Sequence, residues 1–198
     1  MQLVELDDAV RVVSDGMRNN PTNIRAFSIE DADQRARSLA RFFTPLLRGL
    51  YKRGVVMGAF CDKALVGVCG MAQPGSCQPT WFEKIEVLSP MVVSRSMGTV
   101  IRVMRWAGEW ARRDPRNPHW HLGPVAVEPH FQGKGIGGAM LSAFCERMDQ
   151  EYTLSYLETD KLENVGFYER FGFRIIEEGA VLGVRSWFMS RTPEAPRG

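Results

Sequence analysis

Glu128-Pro129-His130-Phe131-Gln132-Gly133-Lys134-Gly135-Ile136-Gly137-Gly138 stands between a strand-like run, His119 to Val127, and a helix-like run that extends to Gln150. Four glycines crowd the start of that helix. Glycine lets bare backbone approach a ligand and adopts positive φ without a Cβ penalty. Unpaired first-turn amides, with the helix dipole behind them, suit a phosphate. Gly133-Lys134-Gly135-Ile136-Gly137-Gly138 spells the dinucleotide pattern G-x-G-x-x-G, with Glu158 at the distance expected of its acidic residue. In that fold, however, the glycines follow the strand almost directly. Here Pro129, His130, Phe131 and Gln132 intervene. The ATP-binding P-loop is excluded, because no Ser or Thr follows Lys134 and Glu128 stands where its first glycine belongs. A purely structural turn would need one or two glycines, not four.

Working outward, residues 7–19 carry helical spacing after an Asp cap. Residues 28–52 read as a longer helix, with Ile29, Ala32, Ala36, Leu39, Ala40, Phe43, Leu46 and Leu47 on one face and Pro45 bending or ending part of it. Val55 to Phe60 and Leu65 to Met71 form an antiparallel hairpin around Cys61-Asp62-Lys63-Ala64. Residues 73–80 are loop-like, and 92–113 form an amphipathic helix that Asp114 to Pro118 end. After the glycine loop and its helix come a strand at Thr153 to Glu158, a short helix at Glu163 to Arg170, and strands at Phe173 to Ile176 and Val184 to Met189. No internal repeat or linker divides the chain. The order predicts a mixed α/β (α+β) single domain over residues 1–190, with 191–198 as a mobile tail.

Composition narrows the function classes. With 198 residues, 44% of them hydrophobic, one domain can bury a core without staples. The 25 basic and 23 acidic side chains nearly balance, and no basic stripe points to nucleic acid. No apolar window is long enough for a membrane span, and the early acidic residues do not fit a signal peptide, so a cytoplasmic protein is expected. The four cysteines, Cys61, Cys69, Cys77 and Cys145, contain no pair at zinc half-site spacing, so neither a metal nor a disulfide framework is expected.

At Gln132, Gly135 and Gly137 the sequence resembles the GNAT superfamily of acyl-CoA-dependent N-acyltransferases, whose pyrophosphate loop follows Gln/Arg-x-x-Gly-x-Gly/Ala. The resemblance continues at Tyr156-Leu157-Glu158-Thr159 and at Asn164-Val165-Gly166-Phe167-Tyr168-Glu169-Arg170-Phe171-Gly172-Phe173, similar to the superfamily's N-x-x-x-Y-x-x-x-G-F segment. This C-terminal third, with Arg185, Trp187, Met189 and Arg191, looks closest to the puromycin N-acetyltransferase-like branch. Residues 1–90, where substrate walls usually lie, carry no such match. The resemblance implies a central, mostly antiparallel sheet splayed at one strand pair and flanked by helices, with acetyl-CoA as cosubstrate.

Function then follows as a set of expectations. An alkyl ammonium must lose a proton before it attacks the thioester, and the leaving thiolate must gain one. By the resemblance, main-chain groups of Val125, Ala126 and Val127 meet the acetyl carbonyl and pantetheine. Gln132, Gly133, Lys134, Gly135, Ile136, Gly137 and Gly138 hold the pyrophosphate. Asn164 bonds the pantetheine arm, and a rival role for it is helix cap. Tyr168, on the same helix face as Asn164, is the general acid. His121 is the candidate base: it takes the offset before Gln132 at which related histone acetyltransferases carry a glutamate. Period-two counting places it on the strand face of Val125 and Val127. His119 shares that parity, Glu128 has the opposite one, and ordered water is a further route. Trp81, Phe82, Trp106 and Trp110 are weighed as a substrate wall against core packing, and Arg102, Arg105, Arg112 and Arg113 as a solvated face. The expected reaction is direct acetyl transfer in a ternary complex to a primary amine of a small molecule. The alternatives are a protein or peptide N-acetyltransferase and a CoA-binding sensor without turnover. A homodimer is expected by analogy only.

Overall fold

The sheet is built around Trp120–Val127, and every other strand takes its place from it. The computed structural model describes residues 4–78, 80–93 and 97–194, with backbone only for 90–93. Helix α1 (Leu6–Met17) opens with Asp7 and Asp8, charges that suit a helix N-terminus, and buries Ala9, Val10, Val12 and Val13. Helix α2 (Pro21–Phe27) begins with a proline and ends at Ser28, which is left-handed. Helix α3 (Ala32–Arg53) is capped by Asp31, whose side chain accepts from the Gln34 amide at 2.6 Å. The helix expected over 28–52 therefore starts four residues later, at Ala32, because Ser28 and Asp31 leave helical geometry, and α2 lies before it. Pro45 sits inside α3 without ending it.

Strands β1 (Gly54–Cys61) and β2 (Ala64–Ala72) form the expected hairpin, with Asp62 and Lys63 both at positive φ in the turn. Helix α4 (Trp81–Val93) was not read from the sequence. A reciprocal cap starts it: the Glu83 carboxylate accepts from the Thr80 amide at 2.7 Å, and the Glu83 amide donates to Thr80 Oγ1 at 3.3 Å. Helix α5 (Met97–Arg113) follows, so the helix expected over 92–113 is the end of one and the whole of another. Strand β3 (Trp120–Val127), a 3-10 turn at Pro129–Phe131, helix α6 (Ile136–Gln150), strand β4 (Ser155–Thr159), helix α7 (Leu162–Glu169) and strands β5 (Arg174–Val181) and β6 (Val184–Arg191) complete the order.

The six strands run β1-β2-β3-β4-β6-β5, antiparallel throughout except for the parallel pair β3–β4. Two cores sandwich the sheet. On one face α1 to α5 pack Leu39, Phe42, Leu47, Val103 and Trp106 against Val68, Ala126, Tyr156 and Phe188. On the other, α6 and α7 pack Leu141, Phe144, Met148 and Tyr168 against Leu122, Leu157 and Met189. None of the described helices is long and apolar enough to cross a membrane. Arg191, expected in the tail, closes β6 instead: it is buried and bonded to Asp149 through both guanidinium NH groups at 2.7 Å. Residues 195–198 of the expected tail lie outside the described residues.

Candidate active site

β3 and β4 pair at Trp120↔Ser155 and His121↔Tyr156 and then part, although β3 runs on to Val127 and β4 to Thr159. The other edge of β3 stays paired with β2 as far as Val127↔Gly67. The Glu128 amide donates to the Val66 carbonyl at 2.9 Å. Main-chain groups alternate in direction along a strand. Ala126 therefore turns with Glu128 toward β2, while Val125 and Val127 turn into the gap. The Gln132 side chain reaches the Val127 carbonyl from that side at 3.0 Å. Of the three strand residues expected to meet a ligand, Val125 and Val127 offer main-chain groups to the gap. Ala126 does not: it is buried and its partner is Val68.

The glycine loop lies at the open end. Gly133 and Gly135 hold φ of 75° and 83°, and a Cβ at either would meet open space, so conformation and not crowding requires glycine there. Helix α6 starts at Ile136, three residues later than expected, with Gly135 at its N-cap and no side-chain cap. Its first backbone bond runs from Ala139 to the Gly135 carbonyl at 3.0 Å. The amides of Ile136, Gly137 and Gly138 have no intrahelical partner. Lys134 is exposed and sets its ammonium 4.9 Å from the Phe131 ring centroid.

Helix α7 closes the far side. Asn164 donates through Nδ2 to Thr159 Oγ1 at 3.2 Å, which ties the helix to the end of β4. The N-cap position belongs to Lys161, so Asn164 is not the cap. Tyr168, one turn on, is buried edge-on between Phe167 and Phe173, with ring centroids at 5.3 and 5.9 Å. Burial, with Cys69 and Asp160 nearby, raises its hydroxyl well above the ordinary phenol value. Tyr168 thus keeps its proton at neutral pH.

His121 is not where parity counting puts it. Cys69 pairs with Val125 but Met71 pairs with Leu122, so β3 carries one extra residue at Gly123-Pro124. This bulge shifts the alternation. Trp120, Leu122, Val125 and Val127 all pack on the α6–α7 face, whereas His121 stacks edge-on against Tyr156, a residue of the opposite core, at 5.3 Å. Its Nε2 lies 2.8 Å from Glu158 Oε2, on the same face of β4. Burial alone would lower the imidazole pKa. The Glu158 carboxylate and Cys77 outweigh that and push it up to about 10. The Nε2 of His121 is thus committed to Glu158, and Nδ1 is the ring nitrogen left without a partner. Glu158 is the residue the sequence reading passed over. Its side chain is 3% exposed, and Oε1 is buried with no hydrogen-bond partner.

A second polar cluster adjoins this pair. Cys77 from the loop after β2, Asp114 from the end of α5, and His119 and His121 gather their ligand-type atoms within 4.8 Å of one another. Burial pushes the Cys77 thiol up, but the two imidazoles more than offset this and hold it at about 7. The four residues are too dispersed for a spacing motif. The one local cue was His-x-His on a single strand face. Elsewhere, Trp106 stacks on Phe42 at 5.7 Å and meets Trp110 edge-on at 5.0 Å, so both are core and not substrate wall, while Trp81 and Phe82 are exposed. The solvated arginine face is correct for Arg105 and Arg112 only. Arg102 donates to the Ala26 carbonyl at 2.7 Å, and Arg113 is buried against Glu177 and the Phe188 ring.

Residues 89–175, which contain β3, the glycine loop, α6, β4 and α7, match the Acetyltransferase (GNAT) domain family. The architecture described above is the fold of that family. Among solved structures, the chain is similar to histone acetyltransferase HPA2 and related acetyltransferase from Corynebacterium glutamicum, with a TM-score of 0.70 and 22% identity over 100% of this chain and 97% of that one. It is also similar to the PaiA N-acetyltransferase of Thermoplasma acidophilum in complex with coenzyme A, with a TM-score of 0.53 and 13% identity over 94% and 92% of the two chains. At these identities the likeness is one of fold.

Proposed function

We propose that the protein is an acetyl-CoA-dependent N-acetyltransferase that moves an acetyl group directly to a primary amine of a small molecule. The observation that carries this reading is the parted β3–β4 pair, with Val125 and Val127 main-chain groups turned into the gap and the uncapped amides of α6 at its mouth. These groups fit a thioester carbonyl and pantetheine amides on one side and a pyrophosphate on the other. Val125, Val127, Asn164 and residues 132–138 would hold the cosubstrate from the α6–α7 face.

The acceptor arrives from the opposite face, where Glu158 lies. Its unpartnered Oε1 accepts a hydrogen bond from the ammonium and takes its proton, freeing the nitrogen lone pair for the carbonyl carbon. His121, through Nε2–H, fixes the other oxygen and orients the carboxylate. As the carbon–sulfur bond breaks, Tyr168 gives its hydroxyl proton to the thiolate; the nitrogen sheds its second proton to solvent, and exchange with solvent returns Glu158 to the carboxylate and Tyr168 to the phenol. A carboxylate only 3% exposed admits a slim ammonium and not a bulky one, which supports an unhindered primary amine. The C-terminal likeness to puromycin N-acetyltransferase-like proteins points the same way.

The test is CoA thiol release from acetyl-CoA against a panel of small primary amines and of peptides. Turnover with a small amine, lost in Glu158→Gln while acetyl-CoA affinity is kept, is the expected result. Turnover with peptides alone overturns the small-molecule assignment. Tight CoA binding without thiol release for any acceptor makes the protein a sensor, and no CoA binding removes the whole reading.

A further inference from the structure

We propose that Cys77, Asp114, His119 and His121 form a tetrahedral site for a divalent cation of the zinc type. The spacing fits. Cys77 Sγ lies 3.5 Å from His119 Nε2, His119 Nε2 lies 3.2 Å from Asp114 Oδ1, and His121 Nδ1 lies 3.8 Å from the same oxygen. Metal bonds of about 2.0–2.3 Å in a tetrahedron set neighbouring ligand atoms roughly 3.3–3.7 Å apart. A thiolate, two imidazoles and one carboxylate select zinc over the oxygen-seeking magnesium and calcium.

The outer partners strengthen the assignment. His119 sets Nδ1 2.8 Å from the Asn117 carbonyl, which leaves Nε2 as the free lone pair. His121 sets Nε2 2.8 Å from Glu158 and leaves Nδ1 free, and this atom is buried with no hydrogen-bond partner. Asp114 accepts from Gln78 Nε2 on Oδ2 at 3.3 Å, leaving Oδ1. Each of these three side chains thus spends one atom on an orienting contact and aims the other at a common centre, as metal ligands do. A nucleophilic triad would be arranged differently. There the acid and the nucleophile take opposite ring nitrogens, whereas here Cys77 and Asp114 converge on the same Nε2 of His119. A cation between them accounts for that convergence.

Four protein ligands close the coordination shell, which leaves no open position for a substrate and makes the cation structural. Its place in the chain shows what it would hold. Cys77 precedes α4 and Asp114 follows α5, so one ion clamps both ends of the α4–α5 segment onto β3.

The full-length protein, stripped of metal and titrated with zinc, is expected to take up about one ion per chain by elemental analysis. Its thermal midpoint should rise, and a chelator should reverse the gain. Cobalt substitution should give a thiolate-to-cobalt charge-transfer band with tetrahedral visible bands. Cys77→Ser should abolish the charge-transfer band, and Cys77→Ser and His119→Gln should each weaken zinc at least tenfold. A wild-type cobalt spectrum without a sulfur band, or zinc uptake no greater than that of a variant carrying both Cys77→Ser and His119→Gln, overturns the proposal. The wild-type spectrum decides the matter even if a variant fails to fold, and none of these readings depends on acetyltransferase activity.

Discussion

Replacing Arg191 by Met keeps the apolar stem and removes the guanidinium from a place where every one of its nitrogens is used. Both NH groups bond Asp149 at 2.7 Å, and Nε donates to the Phe171 carbonyl at 2.8 Å. The Arg191 side chain is 4% exposed and that of Asp149 27%. The Phe171 carbonyl would lose its strong donor and keep only the Cys145 thiol at 3.9 Å, at a cost of about 1–3 kcal/mol. Asp149 can rehydrate, so the ion pair itself is discounted to about 1 kcal/mol. A total of about 2–4 kcal/mol lowers the melting temperature by about 4–16 °C in a domain of this size. The pH dependence gives the decisive signature. Arg191 holds the Asp149 carboxyl below its ordinary value, so the pair stabilises the fold above the unfolded carboxylate pKa of about 3.9 and loses that contribution as pH falls through the folded value. The gap between the melting curves of wild type and Arg191→Met should therefore be widest near neutrality and narrow in acid by the share of the ion pair, leaving that of the Phe171 carbonyl. A melting temperature unchanged at pH 7, or a gap equally wide at pH 3, would refute this account of β6 and restore a mobile tail from residue 191.

Three further perturbations probe the site. Gly135→Ala meets no atom and still forces φ of 83° on a residue with a Cβ, so stability and CoA affinity together should lose about 1–2 kcal/mol, read by melting and calorimetry. No change in either would show that α6 needs no glycine cap. Tyr168→Phe should leave CoA affinity intact and lower kcat by about 100-fold or more; unchanged turnover removes Tyr168 from the mechanism. Glu158→Gln should lower kcat by about 100- to 10,000-fold, and His121→Gln, which can still donate a hydrogen bond, should retain more activity than His121→Ala. Equal activity in the two His121 variants would argue against a positioning role.

Much of this was readable from residues alone, because the relevant signals are local. Glycines at positive φ and the Asn164–Tyr168 helix turn depend on neighbours in sequence, whereas α6 starts at Ile136 and not at Gly133. What failed was counting across an interruption. Gly123-Pro124 is a strand-breaking dipeptide. Treating β3 as an unbroken alternation ignored it and put His121 on the wrong face. Helix α4 was missed although Thr80 and Glu83 spell a capping box, because its exposed Trp81, Phe82 and Ile85 give no clean apolar stripe. In the sequence Glu158 figures in the dinucleotide pattern and in the Tyr156–Thr159 motif, with no catalytic role. Its role depends on the unpartnered oxygen, which exists only once β4 lies beside β3. The Cys77–Asp114–His119–His121 cluster is wholly a product of topology, since the α4–α5 segment separates its first two members.

The bulge also explains why the two halves of the site can work on one reaction centre. Without it, His121 would share a face with Val125 and Val127, and base and cosubstrate would compete for the same side of the sheet. One extra residue turns the chain so that the Val125 and Val127 side chains pack with α6 and α7 while His121 joins Glu158 and Tyr156 on the face of α1 to α5. The main-chain groups of Val125 and Val127 still open into the gap between the two faces. In the proposed reaction, cosubstrate and acceptor then approach from opposite sides and meet where β3 and β4 part. The described cysteines do not offer a covalent detour. Cys69 is buried with its thiol pushed up to about 12, Cys145 is raised to about 11, Cys61 is exposed at the far hairpin, and Cys77 is engaged with His119. Deleting the extra residue, by removing Gly123, should return His121 to the cosubstrate face. It should abolish transfer more completely than His121→Ala does, with the loss read as kcat in the thiol-release assay; a deletion variant that folds and retains the activity of His121→Ala would show that the crossing of faces is incidental.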